Sequence, residues 1–554
     1  MAHNGPNAEK GPAPMQLEPD PDVDPLLAPA TWSDAREEIE FVETHISRLY
    51  FTSTRVYKLK KDLSLPFLDY SSLELRKHFC EEELRLNRRL APDTYLRVAP
   101  LRRDANGRVR LDGEGETVDW VVEMARLPAQ RMLDALLERG ELDNEWVGDV
   151  ARFVAEFHRS AERGPRIARF GSIDAVARNA RDNLDALEEH VAGRGVDALS
   201  ARALAFLRKQ LEEELVRLAP QVEARASSGR VCDGHGDLHS GNICLSEQGV
   251  VAYDCVEFSQ ALRCSDVASD LGFLCMDLDL RGFRGFSEVL AREYVTHSDD
   301  AELLELLDFY KAYRALVRAK VGAIRASQAT SAEQRALERG AAQSYVHLAL
   351  SYALPPVLIL TCGLPASGKS WLARHLASPF EAAELSSDVR RKILAQRPRT
   401  RSAGEAYESG LYSPTLKERT YESLLETSRE LLSGSAHSRR RSVVVDATFS
   451  TRAWREPFRA LARELGAPFV LVHAHADEER TRQRMEARKG ERDESSDADW
   501  GVYLRAKPSF EPPDELASRE RVDHASGIVS AEDTVREMLD RVLEQHVDAS
   551  HVAG

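Results

Sequence analysis

The stretch Gly363-Leu364-Pro365-Ala366-Ser367-Gly368-Lys369-Ser370 fits the phosphate-loop spacing G-x-x-x-x-G-K-[ST] at every position. Upstream, Val357-Leu-Ile-Leu-Thr-Cys362 is an apolar run of the kind that forms a buried parallel strand. Downstream, Trp371 to Ala377 has helical spacing. In a strand–loop–helix of this kind, successive backbone N–H groups turn towards phosphate oxygens, and the helix N-terminus adds a favourable field. Lys369 is then placed to reach the β- and γ-phosphates, and Ser370 to ligate Mg²⁺. The stretch predicts a site for ATP and Mg²⁺ in an α/β P-loop domain with a parallel sheet.

The chain around it has 554 residues, 43% hydrophobic and 30% charged, with a formal net charge of −16. Such a composition supports sizeable soluble cores and more than one domain. The acidic balance argues against a surface that grips nucleic acid throughout, so nucleic acid stays open only as an acceptor at a local groove. No apolar run approaches the roughly 20 residues of a bilayer crossing, and no membrane partner is expected. The N-terminus lacks the basic-then-apolar pattern of a secretory signal. The cysteines Cys80, Cys232, Cys244, Cys255, Cys264, Cys275 and Cys362 include no C-x-x-C pair. They read as reduced, buried small hydrophobes, which points to a cytoplasmic location. Oligomeric state is not legible.

Residues 1–30 hold seven prolines among Gly, Asn and Asp, the pattern of a disordered tail. Strand patterns follow at Ile46–Thr52, Arg55–Lys61, Tyr95–Leu101 and Val118–Met124, with a Ser-capped helix over Ser72–Leu90 between them. This predicts an antiparallel sheet interrupted by one helix. After Leu127-Pro128, helical patterns run over 130–139, 144–161, 174–193 and 197–225, and more fill 265–352. Pro355-Pro356 marks the boundary to the second domain, so the expected domains are 31–353 and 354–548.

Within the helical part lies His235-Gly-Asp-Leu-His-Ser-Gly-Asn242, followed by a hairpin that ends at Asp254. An Asp and an Asn five apart, with a later Asp, follow kinase logic. Asp237 can accept a hydroxyl proton, Asn242 offers a neutral oxygen to a metal, and Asp254 offers a full carboxylate. The loop resembles the catalytic loop of the aminoglycoside phosphotransferase family, small-molecule kinases with an α+β protein-kinase-like fold. The resemblance implies that Asp237 is catalytic and that Asn242 and Asp254 hold the metal. It also implies a strand lysine on the phosphates and a helix glutamate beside it. Lys58 in Val56-Tyr-Lys58 suits the first role, with Lys60 on the same strand face as the alternative. Glu82 takes the second, with Glu81 and Glu83 as neighbouring choices. One departure stands out: Tyr50-Phe-Thr-Ser-Thr-Arg55, which should cover the phosphates, contains no glycine. The hydroxyls of Ser53 or Thr54 are the available substitutes.

Beyond the phosphate loop, Glu384-Leu-Ser-Ser-Asp388 reads as a strand ending in a carboxylate, with Arg391 three residues on. The spacing resembles that of polynucleotide-kinase and zeta-toxin-like P-loop kinases, which implies that Asp388 activates the acceptor hydroxyl and Arg391 holds substrate. Ser442-Val-Val-Val-Asp446 is an apolar strand ending in Asp446, the arrangement that acts on Mg²⁺. Thr448, Arg452 and Arg455 follow within expected reach of a substrate phosphate. Glu479 to Arg488 sets Arg480, Arg484 and Arg488 on one helix face. The same resemblance gives that helix a lid role, with Arg484 neutralising phosphoryl charge. A final helix over 531–546 is expected to pack on the sheet.

The motif order over 44–520 resembles that of bacterial two-domain proteins joining an aminoglycoside phosphotransferase-like kinase to a P-loop domain. The resemblance implies phosphoryl transfer from ATP to hydroxyl acceptors at two sites. A second reading makes the first domain a nucleotide or ligand sensor that regulates a P-loop kinase or ATPase.

Overall fold

The computed structural model of the protein describes residues 25–32, 34, 39–65, 68–193, 200–377, 380, 382–395, 413–434, 440–488 and 500–552. The chain forms two units, Met1–His190 with Leu211–Tyr345, and Val191–Gln210 with Val346–Gly554. The division departs from the expected domains at 191–210 and 346–353.

The first unit opens on an antiparallel sheet of β1 (Glu40–Glu43), β2 (Ser47–Phe51), β3 (Arg55–Lys60), β4 (Tyr95–Arg103), β5 (Val109–Leu111) and β6 (Glu116–Ala125). Its spatial order is β1-β2-β3-β6-β4-β5. Helix α1 (Leu73–Asn87) separates β3 from β4 in the chain, and Ser72 caps it, accepting from the Leu75 N–H at 3.2 Å. Side chains alternate along β3, so Val56, Lys58 and Lys60 face α1 while Tyr57 and Leu59 face away. Leu26, Leu27 and Trp32 cover that far face, with Trp32 stacked on Tyr57 at a centroid distance of 4.3 Å. The expected tail of 1–30 is therefore wrong at its C-terminal end, because two leucines between Pro25 and Pro29, with Trp32 just beyond, find a sheet face to bury. Residues 1–24 lie outside the described residues.

Helix α2 (Asn144–Ser160) belongs to the helical part, as does the hairpin of β7 (Ile243–Ser246) and β8 (Gly249–Ala252), which turns at the predicted place. Helix α3 (Val267–Leu280) is buried from Val267 to Asp279 and packs against α4 (Arg284–Ser298) and α5 (Leu303–Gln328). An apolar helix surrounded by helices gives a rigid floor, and its few carboxylates need partners.

The second unit is a five-stranded parallel sheet of β9 (Leu358–Cys362), β10 (Ala383–Ser386), β11 (Val443–Asp446), β12 (Phe469–His475) and β13 (Arg521–Ala525), ordered β10-β11-β9-β12-β13. Every residue of β9 is buried, as a central parallel strand covered on both faces requires. The helices are α6 (Lys369–Ala377), α7 (Ser387–Leu394), α8 (Pro414–Ser433), α9 (Arg452–Leu465), α10 (Glu478–Arg488) and α11 (Ala531–Val552). The predicted final helix is α11, and its Gln545 side chain bonds both the N–H and the C=O of Phe469 at 3.0 Å, fixing it to the start of β12. All seven cysteines are free and buried. No helix among the described residues is long and apolar enough to cross a membrane.

Candidate active sites

In the first unit, Lys58 Nζ lies 2.8 Å from Glu83 Oε1 and 2.5 Å from Asp254 Oδ1. Lys60 Nζ lies 2.7 Å from Glu83 Oε2 and also bonds Glu257, which accepts a 2.6 Å bond from the Tyr70 hydroxyl. Burial alone would deprotonate Lys58, but the Asp254 and Glu83 carboxylates hold its pKa well above the ordinary lysine value. Lys60 is held up in the same way by Glu257 and Glu83. Burial opposes ionisation of Glu83, yet the two lysines keep its carboxyl well below the usual range. The helix partner is thus Glu83, not Glu82. Glu82 sits one residue earlier on α1 and turns out to pair with Arg85 at 2.8 Å, because a 100° step per residue carries it off the sheet-facing side. Sequence reasoning missed Glu257, although its place three residues after Asp254 was a usable signal.

The loop from His235 to Asn242 is held from below by α3. Asp270 accepts from the backbone N–H of His235 at 2.6 Å and of Gly236 at 2.9 Å, while Asp277 accepts from the Ser240 N–H at 2.9 Å. His235 Nε2 donates to the Tyr253 carbonyl at 3.0 Å and its Nδ1 accepts from the Asp237 N–H at 3.2 Å, which fixes a neutral tautomer. The Asp237 carboxylate lies 3.6 Å from His239 Nε2. Burial would raise its pKa, but the charges of His239 and Arg318 hold it well below the usual carboxylate range. The Asn242 amide donates to the Asp237 carbonyl at 3.0 Å, leaving its oxygen for a cation. Asp254 takes a positive φ of 63° and has a side chain 43% exposed, so its carboxylate is presented from a strained turn to the open site. Cys255 N–H, next to it, donates to Asn87 Oδ1 at 2.9 Å, which ties this turn to α1.

The glycine-free hairpin between β2 and β3 is pinned by Asp34. Thr52 Oγ1, Thr54 Oγ1 and the Tyr57 hydroxyl all donate to its carboxylate, at 2.6, 2.8 and 2.9 Å. Tyr57 points away from α1, so the clamp sits on the face opposite Lys58. The Thr54 hydroxyl proposed for phosphate is committed there instead.

In the second unit, the phosphate loop joins β9 to α6, and Lys369 is the first residue of the helix. Gly363 has φ 153° and a Cβ there would stand 2.2 Å from the Ala474 carbonyl oxygen, so only glycine fits. Ala366 (φ 61°) and Gly368 (φ 96°) also take left-handed backbone, which curls the loop. Asp446, buried at the end of β11, accepts at 3.1 Å from the hydroxyl of Thr361, which lies two residues before the loop begins. From α10, Arg484 reaches the Ala366 carbonyl at 3.4 Å and Arg480 the Ser526 carbonyl at 2.8 Å. The Arg488 side chain lies outside the described residues. Ser526 Oγ donates to the Ser367 carbonyl at 2.5 Å.

Asp388 differs from expectation in placement: β10 stops at Ser386, whose hydroxyl caps α7, and Asp388 lies in the first helical turn. It pairs with Arg391 at 2.9 Å. Arg455 is not available to a substrate phosphate. It is 1% exposed and is spent on Glu515 at 2.7 Å and on the Phe449 carbonyl at 2.9 Å.

The model of the phosphotransferase enzyme family matches residues 74–344, and that of an AAA domain matches residues 358–513. Uncharacterized proteins of Mycobacterium bovis and Mycobacterium tuberculosis are 31% identical over 457 residues, covering 82% of this chain and 86% of theirs. Among solved structures, a gluconokinase from Sinorhizobium meliloti is 19% identical over 36% of this chain and 99% of its own, with a TM-score of 0.25. A Plasmodium vivax ethanolamine kinase is 8% identical over 56% of this chain and 81% of its own, with a TM-score of 0.36. The chain belongs to the family of two-domain proteins in which a phosphotransferase-enzyme domain precedes a P-loop AAA-type domain, and it is an ATP-dependent kinase.

Proposed function

We propose that both units transfer the γ-phosphate of ATP to hydroxyl groups of separate acceptors. What supports this reading is that each unit carries a lysine and a carboxylate of its own: in the first, Lys58, bonded to Glu83 and Asp254, and Asp237; in the second, Lys369 at the end of the curled loop, and Asp388, paired with Arg391. In the first unit Lys58 binds phosphate oxygens, and Asp237, kept ionised, takes the acceptor's proton as its oxygen attacks. In the second, the loop from Gly363 to Ser370 cradles the phosphates, Asp388 accepts the proton, Arg391 orients Asp388 and the acceptor, and Arg484 offsets charge on the transferring group. The donor sets suit Mg²⁺, since each supplies oxygen ligands: Asn242 and Asp254 in the first unit, Ser370 and Asp446 in the second. At these residues a bound Mg²⁺ would offset negative charge on the triphosphate.

A second reading, in which the first unit senses nucleotide and regulates the P-loop kinase, draws on the Asp34-pinned hairpin. The test offers radiolabelled ATP and an acceptor panel to the full chain and its variants. Asp237→Asn and Lys369→Ala should each remove a different set of labelled products, by about a thousandfold or more. If Lys369→Ala removes every product and Asp237→Asn none, two active kinases is the wrong reading and the sensor takes its place.

A further inference from the structure

Helix α5 carries Lys311, Arg314 and Arg318 at the i, i+3 and i+7 positions of one stripe. The first two are buried and paired with the floor of the site. Lys311 bonds Asp279 of α3, while Arg314 donates to the Gly236 carbonyl and to Ser269 Oγ, both at 3.0 Å, and stands 3.8 Å from Asp270. Arg281, at the end of α3, lies 3.4 Å from Asp277. Asp270, Asp277 and Asp279 of α3 thus each have a cation of their own, and none of them calls for Arg318.

Arg318, one turn further along, is half-buried. Its Nε donates to the Tyr345 hydroxyl at 3.3 Å, and its guanidinium lies 5.7 Å from the centre of the Tyr345 ring, so one edge of the fork is anchored. Among the described residues neither Nη has a hydrogen-bond acceptor, and no carboxylate stands within ion-pair distance. Its charge nevertheless reaches Asp237 and helps to keep that carboxyl ionised. Asp237 itself faces His239 Nε2 at 3.6 Å, and Arg318 lies beyond contact with it, which leaves a gap between carboxylate and guanidinium. A guanidinium drawn out of water without a counter-ion is costly, and an anion entering that gap would offset the cost. The bare edge offers the paired N–H donors that suit a carboxylate or a phosphate.

We propose that Arg318 forms an anion subsite of the first unit, so that the acceptor phosphorylated there carries an oxyanion as well as the hydroxyl directed to Asp237. The inference rests on the reading of the first unit as a kinase that uses Asp237. In the transfer the acceptor oxygen bonds the γ-phosphorus, the bond to the ADP oxygen breaks, and the hydroxyl proton passes to Asp237. The oxyanion stays on Arg318 throughout and takes no part in the bond changes. Two sources share this chemistry, a carboxylate and a phosphate on the acceptor. An ammonium group in the same place would be repelled by the guanidinium.

The test uses the full chain carrying Lys369→Ala, which disables the phosphate loop, with saturating magnesium and a non-hydrolysable ATP analogue. The probes are polyols from glycerol to sorbitol and, on the same skeletons, the aldonates, the polyol phosphates and the amino-polyols, each followed by calorimetric titration. At least one aldonate or polyol phosphate should bind about tenfold or more tightly than the polyol and the amine of its skeleton. Which of the two anions does so assigns the oxyanion. Arg318→Met should erase the margin while the analogue still binds, and Arg318→Lys, which keeps the charge but not the fork, should retain part of it. If Arg318→Met loses the analogue as well, Tyr345→Phe decides: it frees Nε without removing charge and should narrow the margin severalfold. The subsite is overturned if no anion binds better than its neutral counterpart, or if the deciding variant leaves the margin unchanged. It is equally overturned if Arg318→Met weakens polyols and anions alike, since Arg318 would then serve Asp237 or the transferring phosphate. Failure of the analogue to bind the Lys369→Ala chain overturns the nucleotide site of the first unit itself, and the subsite with it.

Discussion

On the proposed reading, the two units hold a triphosphate with opposite materials. The first relies on side-chain charge: two lysines on one strand face, one helix glutamate between them, and two carboxylates, Asp254 and Glu257, that follow the hairpin. The second relies on backbone: a loop curled through Gly363, Ala366 and Gly368 onto a helix N-terminus. A charge lattice depends on every member being matched, whereas a backbone cradle depends on nothing intruding. Glu83→Gln breaks the first kind of site most sharply, because it leaves two buried lysines short of a carboxylate. It should cost about 3–5 kcal/mol in stability and abolish transfer by the first unit. Glu82→Gln, one residue away but facing out, should stay within about 0.5 kcal/mol. Denaturant midpoints of the two variants give the comparison directly, and equal losses would return the partner role to neither.

The matching break in the second unit is Gly363→Ala. The new Cβ would meet the Ala474 carbonyl oxygen at 2.2 Å, a backbone atom with no room to yield, at a φ that L-residues avoid. Nucleotide affinity at the loop should fall about a hundredfold, or about 2.7 kcal/mol, with little change in transfer by the first unit. Calorimetric titration with a non-hydrolysable ATP analogue measures it. Loss of both activities together would mean that the substitution unfolds more than the loop.

The same contrast explains how much the sequence revealed. A backbone cradle is written in consecutive residues, so the phosphate loop, its buried strand and Asp446 could be read directly. So could the Asp237–Asn242 spacing, which lies within one loop. Of the charge lattice, Lys58, Lys60 and Asp254 were named, but their pairing was not legible because the members come from β3, α1 and the turn after β8, and the choice among Glu81, Glu82 and Glu83 turns on helix phase against a sheet. Asp270 and Asp277 were hidden for a related reason: on an otherwise apolar helix they gave no sign that they held the catalytic loop from beneath. Arg455 misled in the opposite direction, since an arginine near a strand end suggests phosphate whether or not Glu515 has claimed it. The proline-rich start concealed Leu26, Leu27 and Trp32, because composition averages over the few residues that bury.

A smaller effect tests the hairpin that lacks glycine. Asp34 gathers three hydroxyl donors on the far face of the sheet and so substitutes side-chain pinning for backbone flexibility. Asp34→Ala should cost about 1–3 kcal/mol, since Thr52 and Tyr57 are buried and only the Thr54 hydroxyl is free to turn to water. Transfer by the first unit should fall severalfold while transfer by the second is unchanged. A rise in the first activity would mean that the clamp restrains the site instead of shaping it.

The smallest effect separates the units by pH. His235 is fully enclosed, with Nε2 donating to Tyr253 and Nδ1 accepting from Asp237, so a second proton has no place without breaking the Asp237 bond. Burial lowers its pKa, and the nearby Asp270, Asp237 and Asp254 carboxylates offset only part of that. A histidine whose folded pKa lies below its unfolded value near 6.5 leaves the unfolded chain binding more protons. Its contribution to stability is then fully present above that pH and is lost as pH falls. His235→Gln keeps a donor for the Tyr253 carbonyl but cannot titrate. Between pH 7.5 and 5.5 the melting temperature of the parent chain should fall more than that of the variant, with each unit of pKa difference worth about 1.4 kcal/mol. Parallel slopes would show that folding leaves the proton affinity of His235 unchanged, and a smaller fall in the parent would show that the fold holds it protonated; either outcome overturns the neutral tautomer assigned to the loop. Gly363 to Ser370 include no histidine, so a pH dependence of nucleotide binding there would come from a neighbour such as His473, apart from the ionisation of ATP.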